Sequence, residues 1–229
     1  MLVIAHRGAS AQFDENTLDA FLGAVDQGAD GVELDVRRTS DDHLAIHHDD
    51  ALPDGRPLVE TAFADLPAPI TDLDHALGAC APLAVVNVEI KNWTEDRDFD
   101  PSERLAAAVV DLLRRRGELD DGRILVSSFH LPTIDRVHEL APGLATGWLL
   151  GLVENPHDLV GRAAERGHVA VHPHHLFVNE DFVRIAHAAG LAVNTWTCDE
   201  PERIRWLADL DVDAVITNVP DVALHALGR

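Results

Sequence analysis

Acidic residues interrupt two apolar segments of this 229-residue sequence. Glu33 and Asp35 lie within segment 31–36, and Glu89 lies within segment 84–90. Both segments have the composition of strands, and alternation then places Glu33 and Asp35 on the same face. Buried carboxylates that lie close together repel one another unless a cation lies between them. Because carboxylate oxygens favour hard ions, we predict one divalent cation, Mg²⁺ or Ca²⁺, bound by Glu33, Asp35 and Glu89.

Imidazole and basic side chains occur at the ends of neighbouring apolar segments. His6 and Arg7 follow the first segment, His48 follows segment 44–47, and Lys91 follows Glu89 by two residues. Imidazoles exchange protons near neutral pH, and arginine and lysine bind anionic oxygens. Lys91 is the only lysine among the 18 basic residues, which favours a specific use of its amine. Together with a divalent cation, this set predicts phosphoryl chemistry.

The elements that must position these residues repeat along the whole chain, because short apolar segments alternate with amphipathic helical ones. Eight such strand–helix units predict a closed (β/α)8 TIM barrel, one α/β domain over residues 1–229. An open doubly wound sheet is the alternative. Residues 51–69 read as a short irregular insertion, and helices are predicted over 15–27 and 102–116. The predicted barrel strands are 2–5, 31–36, 84–90, 124–127, 145–150, 169–172, 191–195 and 214–217, with an extra strand over 44–47.

Composition excludes several classes of protein. The 18 basic and 40 acidic residues give a formal charge of -22, which disfavours nucleic acid and anionic membranes as partners. No apolar segment approaches the length of a membrane-spanning helix, and the first residues read as a strand rather than a signal peptide. We therefore expect a cytoplasmic protein without stable membrane association, with Cys80 and Cys198 reduced. The sequence leaves open whether the chain forms a homo-oligomer.

An ordered set of short motifs runs through the chain. The motifs are His6-Arg7-Gly8, Glu15-Asn16-Thr17, Glu33-x-Asp35, His48-Asp49, Glu89-x-Lys91, Ser128-Phe129, Trp196-Thr197 and Thr217-Asn218-x-Pro220. This set resembles the glycerophosphodiester phosphodiesterase family over the whole chain. The resemblance implies a metal-dependent (β/α)8 barrel that hydrolyses glycerophosphodiesters to glycerol 3-phosphate and an alcohol.

The resemblance also implies a role for each matching position. Metal ligands are implied at Glu33, Asp35 and Glu89, catalytic histidines at His6 and His48, and phosphate-binding groups at Arg7 and Lys91. Glu15 and Asn16 match the motif that supports the first loop, and Trp196 matches an aromatic residue of the substrate pocket. We expect His6 to act as the base and His48, which Asp49 favours over His47, as the acid. One departure is the segment 53–56, which replaces a longer basic and threonine-containing run and affects the expected substrate range.

Other functions remain open from the sequence. Phospholipase D-type cleavage of lysophospholipids uses related chemistry, a Schiff-base aldolase would use Lys91, and a non-catalytic barrel would only bind a ligand. A zinc amidohydrolase is disfavoured because the first strand lacks a His-x-His pair. His172, His174 and His175 also cluster, and we expect a surface loop there because no carboxylate partner is evident. The alcohol of the substrate, the nucleophile and the choice of ion are not determined.

Overall fold

A computed structural model describes residues 1–151 and 156–229 as one α/β barrel. The strands are β1 (Leu2–His6), β2 (Gly31–Arg38), β3 (Leu44–Ile46), β4 (Val85–Ile90), β5 (Ile124–Ser128), β6 (Ala145–Leu150), β7 (Ala170–Pro173), β8 (Ala192–Thr195) and β9 (Ala214–Thr217). The helices are α1 (Leu18–Asp26), α2 (Leu73–Ala79), α3 (Arg104–Arg116), α4 (Leu131–Leu140), α5 (Pro156–Glu165), α6 (Glu180–Ala188), α7 (Pro201–Asp209) and α8 (Pro220–Ala226). These elements follow the predicted alternation of strands and helices.

Closure of the sheet distinguishes a barrel from an open sheet. β1 pairs in parallel with β2, where His6 is opposite Glu33, and also with β9, where Leu2 is opposite Ala214. The remaining parallel strands follow one another in chain order between β2 and β9. The predicted closed (β/α)8 TIM barrel is therefore confirmed, and the doubly wound alternative is wrong. The carboxyl ends of the eight parallel strands consequently face the same mouth.

The main apolar core lies between the barrel and its surrounding helices. Val32 and Leu34 of β2 are fully buried and pack in the same cluster as Phe21 of α1 and Leu77 of α2. A second cluster joins the strands β6–β9 to the helices α4–α8. Because successive side chains alternate along a strand, the acidic residues between the outward-facing apolar ones point into the barrel.

Two helices begin later than the sequence pattern predicts. Asn16 has a positive φ of 58°, so α1 begins only at Leu18, where the Thr17 hydroxyl accepts a hydrogen bond from the Ala20 N–H at 3.2 Å. Glu103 has a φ of 57°, and α3 begins at Arg104. Helical propensity in these segments is overridden because tertiary contacts hold a residue one or two positions before each helix in a left-handed conformation.

The extra strand and the insertion lie at the barrel mouth beside β2. β3 pairs antiparallel with β2, with Val36 opposite Ile46. It is therefore an additional edge strand and not a ninth strand of the barrel. Residues 51–69 contain two short 3₁₀ helices, Leu58–Glu60 and Phe63–Asp65. The buried side chains of Leu52 and Leu58 anchor this segment against Ala45. This segment lies beside the mouth, where Ala51 and Leu52 border a cavity.

Candidate active site

Three buried carboxylates meet inside the mouth of the barrel. In the parallel pairing of β2 with β4, Asp35 is opposite Glu89, and Glu33 lies two residues earlier on the same face. One carboxylate oxygen from each residue lies within 4.8 Å of the other two. Among the described residues, Glu33 Oε1 and Asp35 Oδ1 have no hydrogen-bond partner although both are buried. We call Glu33, Asp35 and Glu89 the carboxylate trio, and its donor set fits a hard divalent cation.

Crowding of the trio changes its protonation. Burial, followed by the charges of Asp35 and Glu89, raises the pKa of Glu33 well above its ordinary value. Burial also raises the pKa of Glu89. Burial acts in the same direction on Asp35, but Lys91 and Arg7 outweigh it and lower the pKa of Asp35 to about 2. Asp35 is therefore ionised, whereas burial favours the protonated forms of Glu33 and Glu89, and a bound cation would favour the ionised forms of all three.

Two cationic side chains border the trio. Lys91 Nζ lies 2.8 Å from Glu89 Oε1 and 3.5 Å from Asp35 Oδ1. Arg7 Nε lies 3.2 Å from Asp35 Oδ2, and Arg7 Nη1 lies 2.9 Å from Glu15 Oε1. Burial lowers the pKa of both basic groups, but the neighbouring carboxylates raise it more. Both side chains therefore stay charged at the place where an anionic phosphoryl group would meet the trio.

Asn16 connects the loop after β1 to the trio. Its side-chain amide donates to Asp35 Oδ2 at 2.8 Å, and its Oδ1 accepts from the Asp35 main-chain N–H at 3.2 Å. The Asn16 N–H also donates to the Arg7 carbonyl oxygen at 3.0 Å. The left-handed conformation of Asn16 thus places its amide over β2. The structure brings Glu15 and Asn16 to the first loop, where the sequence predicted them.

His6 has one ring nitrogen bonded and the other turned toward the trio. His6 Nδ1 lies 2.7 Å from Asn218 Oδ1, and Asn218 Nδ2 donates to Asp199 Oδ2 at 2.8 Å. Because this second bond fixes the amide, Asn218 Oδ1 accepts and His6 Nδ1 carries the proton. His6 Nε2 lies 3.9 Å from Glu33 Oε2. Burial, and then the charge of Arg7, lower the pKa of His6, so Nε2 is able to accept a proton.

The sequence did not assign roles to the two residues that orient His6. Asn218 belongs to a motif noted in the sequence, but Asp199 carried no signal, since it follows β8 in an irregular segment. Asp199 Oδ1 also accepts from the Asn218 main-chain N–H at 2.8 Å and from the Thr217 hydroxyl at 2.9 Å. Asp199 therefore fixes the whole turn after β9.

His48 follows β3 at the mouth of the barrel. Its Nδ1 lies 2.7 Å from Asp49 Oδ1, and its carbonyl oxygen accepts from Arg37 Nε at 2.8 Å. Arg37 is buried and pairs with Asp98 at 2.7 Å. His48 lines the same small cavity as His6, Glu33 and Glu89, whereas His47 does not line it. Of the two neighbouring histidines, His48 is therefore the one beside the candidate site.

Two adjoining cavities open at the mouth. The inner one, about 60 Å³, is bordered by both histidines, by Arg7 and Lys91, and by the aromatic rings of Phe129 and Trp196. The outer groove is about 620 Å³ and shares His48, Glu89, Lys91 and Phe129 with the inner cavity. The Trp196 ring contacts that of Phe129 edge to face, with centroids 5.5 Å apart. The structure therefore places Trp196 at the pocket, where the sequence predicted it.

The histidine cluster after β7 divides into two environments. His172 is buried in the barrel, where desolvation lowers its pKa to about 3 and Asn194 Nδ2 lies 3.1 Å from its Nε2. His175 lies at the rim, where its ring comes within 4.8 Å of ligand atoms of Cys198 and Glu200. The sequence missed this carboxylate partner because it follows a different strand. Both cysteines are buried and unpaired, as predicted.

The fold and the site define a barrel hydrolase with acidic, basic and imidazole groups gathered at the C-terminal mouth. The profile of the glycerophosphoryl diester phosphodiesterase family matches residues 6–222, and the chain belongs to this family. The predicted enzyme class is thereby confirmed. Among the described residues, no helix combines the length and apolar character that crossing a bilayer requires.

Individual relatives agree with the family match. A glycerophosphodiester phosphodiesterase of Caldanaerobacter subterraneus subsp. tengcongensis is 30% identical over 245 residues, which cover 100% of this chain and 98% of the relative. The structure of an Oleispira antarctica phosphodiesterase, solved with the product sn-glycerol-3-phosphate, is 27% identical with a TM-score of 0.89 over 100% of this chain and 97% of that one. A Thermotoga maritima glycerophosphodiester phosphodiesterase structure is 27% identical with a TM-score of 0.82, covering 100% and 98%.

Proposed function

We propose that this enzyme hydrolyses glycerophosphodiesters to glycerol 3-phosphate and an alcohol, with one divalent cation, Mg²⁺ or Ca²⁺, at the carboxylate trio. The observation that carries the proposal is the pair of buried trio oxygens without hydrogen-bond partners, Glu33 Oε1 and Asp35 Oδ1, in a trio of which Glu33 and Glu89 line the same cavity as His6 and His48. The cation would supply Lewis-acid stabilisation of charge on the phosphoryl oxygens. The Oleispira antarctica relative was solved with sn-glycerol-3-phosphate, which supports the same product here.

The chain's own residues then divide the reaction between two sides of the cavity. Arg7 and Lys91 bind the anionic phosphoryl oxygens and hold the phosphorus between the histidines. His6 Nε2 accepts the proton of the nucleophile, which is water or the neighbouring glycerol hydroxyl, as the new P–O bond forms. His48 gives the proton of its Nε2 to the alcohol oxygen as the old P–O bond breaks. Asp49 stabilises the protonated His48 ring before this transfer.

The outer groove suits the alcohol side of the substrate. Its walls combine the half-exposed Trp93 ring with the carboxylates of Asp49, Asp50 and Asp96. Asp96 neutralises the buried Arg37, with Asp96 Oδ2 2.9 Å from Arg37 Nη2, and Asp49 is bonded to His48. Asp50, whose Oδ2 accepts from the Arg97 main-chain N–H at 2.9 Å, adds a further negative charge to this wall. An aromatic face beside carboxylates recognises ammonium groups. We therefore infer a preference for a cationic alcohol such as choline or ethanolamine.

Hydrolysis assays with glycerophosphocholine, glycerophosphoethanolamine and glycerophosphoglycerol test both parts of the proposal. We expect turnover that a chelator abolishes and added Mg²⁺ or Ca²⁺ restores. Asp50→Asn should raise KM for the two cationic substrates and leave KM for glycerophosphoglycerol unchanged, with the exposed Asp54→Asn as the matched control. Full turnover in chelator would contradict the metal requirement, and equal KM changes for all three substrates would contradict the cationic preference.

The alternatives from the sequence separate on particular observations. A Schiff-base lysine needs a lowered pKa, whereas neighbouring carboxylates raise the pKa of Lys91. Lysophospholipid cleavage uses the same phosphodiester chemistry with an acyl chain on the glycerol side. An assay on lysophosphatidylcholine, run beside glycerophosphocholine, distinguishes it. We expect the acylated substrate to be the poorer one, because the cavity next to the trio is only about 60 Å³.

A further inference from the structure

A second group of metal-binding side chains meets at the rim of the barrel. His175 lies in the 3₁₀ helix after β7, and Cys198 and Glu200 lie in the segment after β8. Their nitrogen, sulfur and oxygen ligand atoms all lie within 4.8 Å of one another. We call these three residues the mixed cluster. β7 and β8 lie three strands from β4 and β2 in either direction around the barrel, so this cluster is separate from the carboxylate trio.

The ligand atoms of the mixed cluster have few partners of their own. Among the described residues, buried His175 Nδ1 has no hydrogen-bond partner. Cys198 is fully buried, and its Sγ lies 3.9 Å from Glu200 Oε2, a long and weak contact. Glu200 is exposed, which provides access from solvent. A buried imidazole nitrogen without a partner, next to a thiol and a carboxylate, has the polar capacity that a cation would satisfy.

The backbone around the cluster is fixed before any ligand binds. The His175 N–H donates to the Trp196 carbonyl oxygen at 2.7 Å, and the guanidinium of Arg203 donates to the His175 carbonyl oxygen. The Cys198 N–H donates to the Ile216 carbonyl oxygen at 3.1 Å. Three segments of chain are thus held in place, so binding would require little reorganisation.

The geometry points to a transition-metal site, and we propose that His175, Cys198 and Glu200 bind Zn²⁺. One nitrogen, one sulfur and one oxygen ligand suit a borderline-soft ion and not Mg²⁺ or Ca²⁺. Binding forms the S–Zn bond and releases the thiol proton to solvent. The thiolate and the carboxylate together outweigh the charge of Arg203, so the groups that face the dication carry a net negative charge. Three protein ligands leave the fourth tetrahedral position to water.

Other uses of this thiol fit the structure less well. Burial raises the pKa of Cys198 to about 11, which disfavours a nucleophilic or redox-active thiolate. The other cysteine, Cys80, belongs to a separate apolar cluster, which excludes a disulfide between the two. A bound ion would tie the segments after β7 and β8 together around Trp196.

Cobalt provides a probe that reports sulfur ligation specifically. The wild-type enzyme, saturated with Mg²⁺ to occupy the carboxylate trio, is mixed with one equivalent of Co²⁺ and its absorption spectrum is recorded. We expect a thiolate-to-cobalt charge-transfer band in the near ultraviolet, which Zn²⁺ then removes by displacement. Carboxylates cannot produce that band. Its absence from the wild type would overturn the proposal.

Matched variants assign the sulfur and the imidazole. Cys198→Ser should abolish the band and Cys80→Ala should retain it, while His175→Ala should weaken Zn²⁺ affinity on the order of 10²-fold in a chelator competition. Far-ultraviolet circular dichroism checks each fold. If Cys198→Ser does not fold, the half-exposed His175→Ala still decides the matter. The site would be contradicted by a band that persists in Cys198→Ser or disappears in Cys80→Ala. Unchanged Zn²⁺ affinity in His175→Ala would contradict it as well.

Discussion

The carboxylate trio and the mixed cluster contrast in how each gathers ligand atoms. The trio comes from two adjacent strands and offers only oxygen, and all three residues are buried. The mixed cluster comes from segments that follow two other strands, and it offers nitrogen, sulfur and oxygen ligands. One of its members, Glu200, is exposed. The paired strands hold the like charges of the trio close together, because the rigid backbone cannot move to separate them. Connecting segments instead bring together a thiol and an imidazole beside one exposed carboxylate, so few like charges are crowded there.

The largest expected effect is a loss of activity in a variant of the carboxylate trio that leaves the mixed cluster intact. Glu33→Gln removes one ligand charge from the trio, and we expect glycerophosphocholine turnover to fall roughly 10³-fold, because such an ion contributes several kcal/mol to the transition state. The thiolate-to-cobalt band of the mixed cluster should persist in this variant. Glu139→Gln, on the exposed surface of α4, is the control. Turnover within about threefold of the wild type would contradict the trio's assignment.

Variants of His6 and His48 test whether the proton-transfer groups of the reaction lie beside the carboxylate trio. His6→Ala and His48→Ala should each lower kcat by about 10²-fold or more, because each removes one proton-transfer group. The exposed His75→Ala variant is the control, and steady-state kinetics provide the measurement. Near-normal kcat in both active-site variants would refute the acid and base roles.

Asn218 offers a finer test of how His6 is oriented. Asn218→Asp keeps the shape of the side chain but places a carboxylate beside His6 Nδ1, which raises the pKa of the ring. His6 then loses its proton only at higher pH, so we expect the acidic limb of the kcat/KM profile to shift to higher pH. At neutral pH we expect roughly a tenfold loss of rate. An unshifted profile would show that Asn218 has only a structural role.

Zinc should distinguish the clusters through stability. A ligand that binds only the folded state at ten times its Kd stabilises it by about 1.4 kcal/mol, which corresponds to a Tm increase of about 3–5 °C at this size. We expect Zn²⁺ to raise the Tm of the Mg²⁺-saturated wild type and of Cys80→Ala, but not that of Cys198→Ser. Equal shifts in all three proteins would place the zinc elsewhere.

The smallest effect concerns the pH dependence of the metal-free enzyme. Because burial raises the pKa of Glu33, this residue stabilises the fold most at pH values below its pKa in the unfolded chain. This contribution is lost as pH rises through the pKa of Glu33 in the folded protein. Buried His172, whose pKa is lowered to about 3, acts in the opposite direction below pH of about 6.5. The difference in unfolding free energy between wild type and Glu33→Gln isolates Glu33, and we expect the wild type to lose stability relative to the variant from pH 5 to 8. Denaturant unfolding measures this difference, and the opposite sign would contradict the charge repulsion in the trio.

Local patterns in the sequence predicted the barrel and most of the site. The alternation in Glu33-x-Asp35 and Glu89-x-Lys91 fixes which side chains share a face, because strand periodicity does not depend on distant residues. The order of the strand–helix units fixes the parallel topology for the same reason. The sequence failed where distant residues act on a short segment. The starts of α1 and α3 shifted because Asn16 and Glu103 make tertiary hydrogen bonds, to Asp35 and to Asn92 and Thr133.

The sequence alone therefore determined the fold class and predicted the carboxylate trio and the two histidines as site residues. Only the tertiary structure placed Asn218 against His6, 212 positions away, and Asp199 behind it. Only the tertiary structure also brought Glu200 and Cys198 to His175. Contacts between segments that follow different strands depend on barrel closure and on the paths of the connections, and no local periodicity encodes either of them.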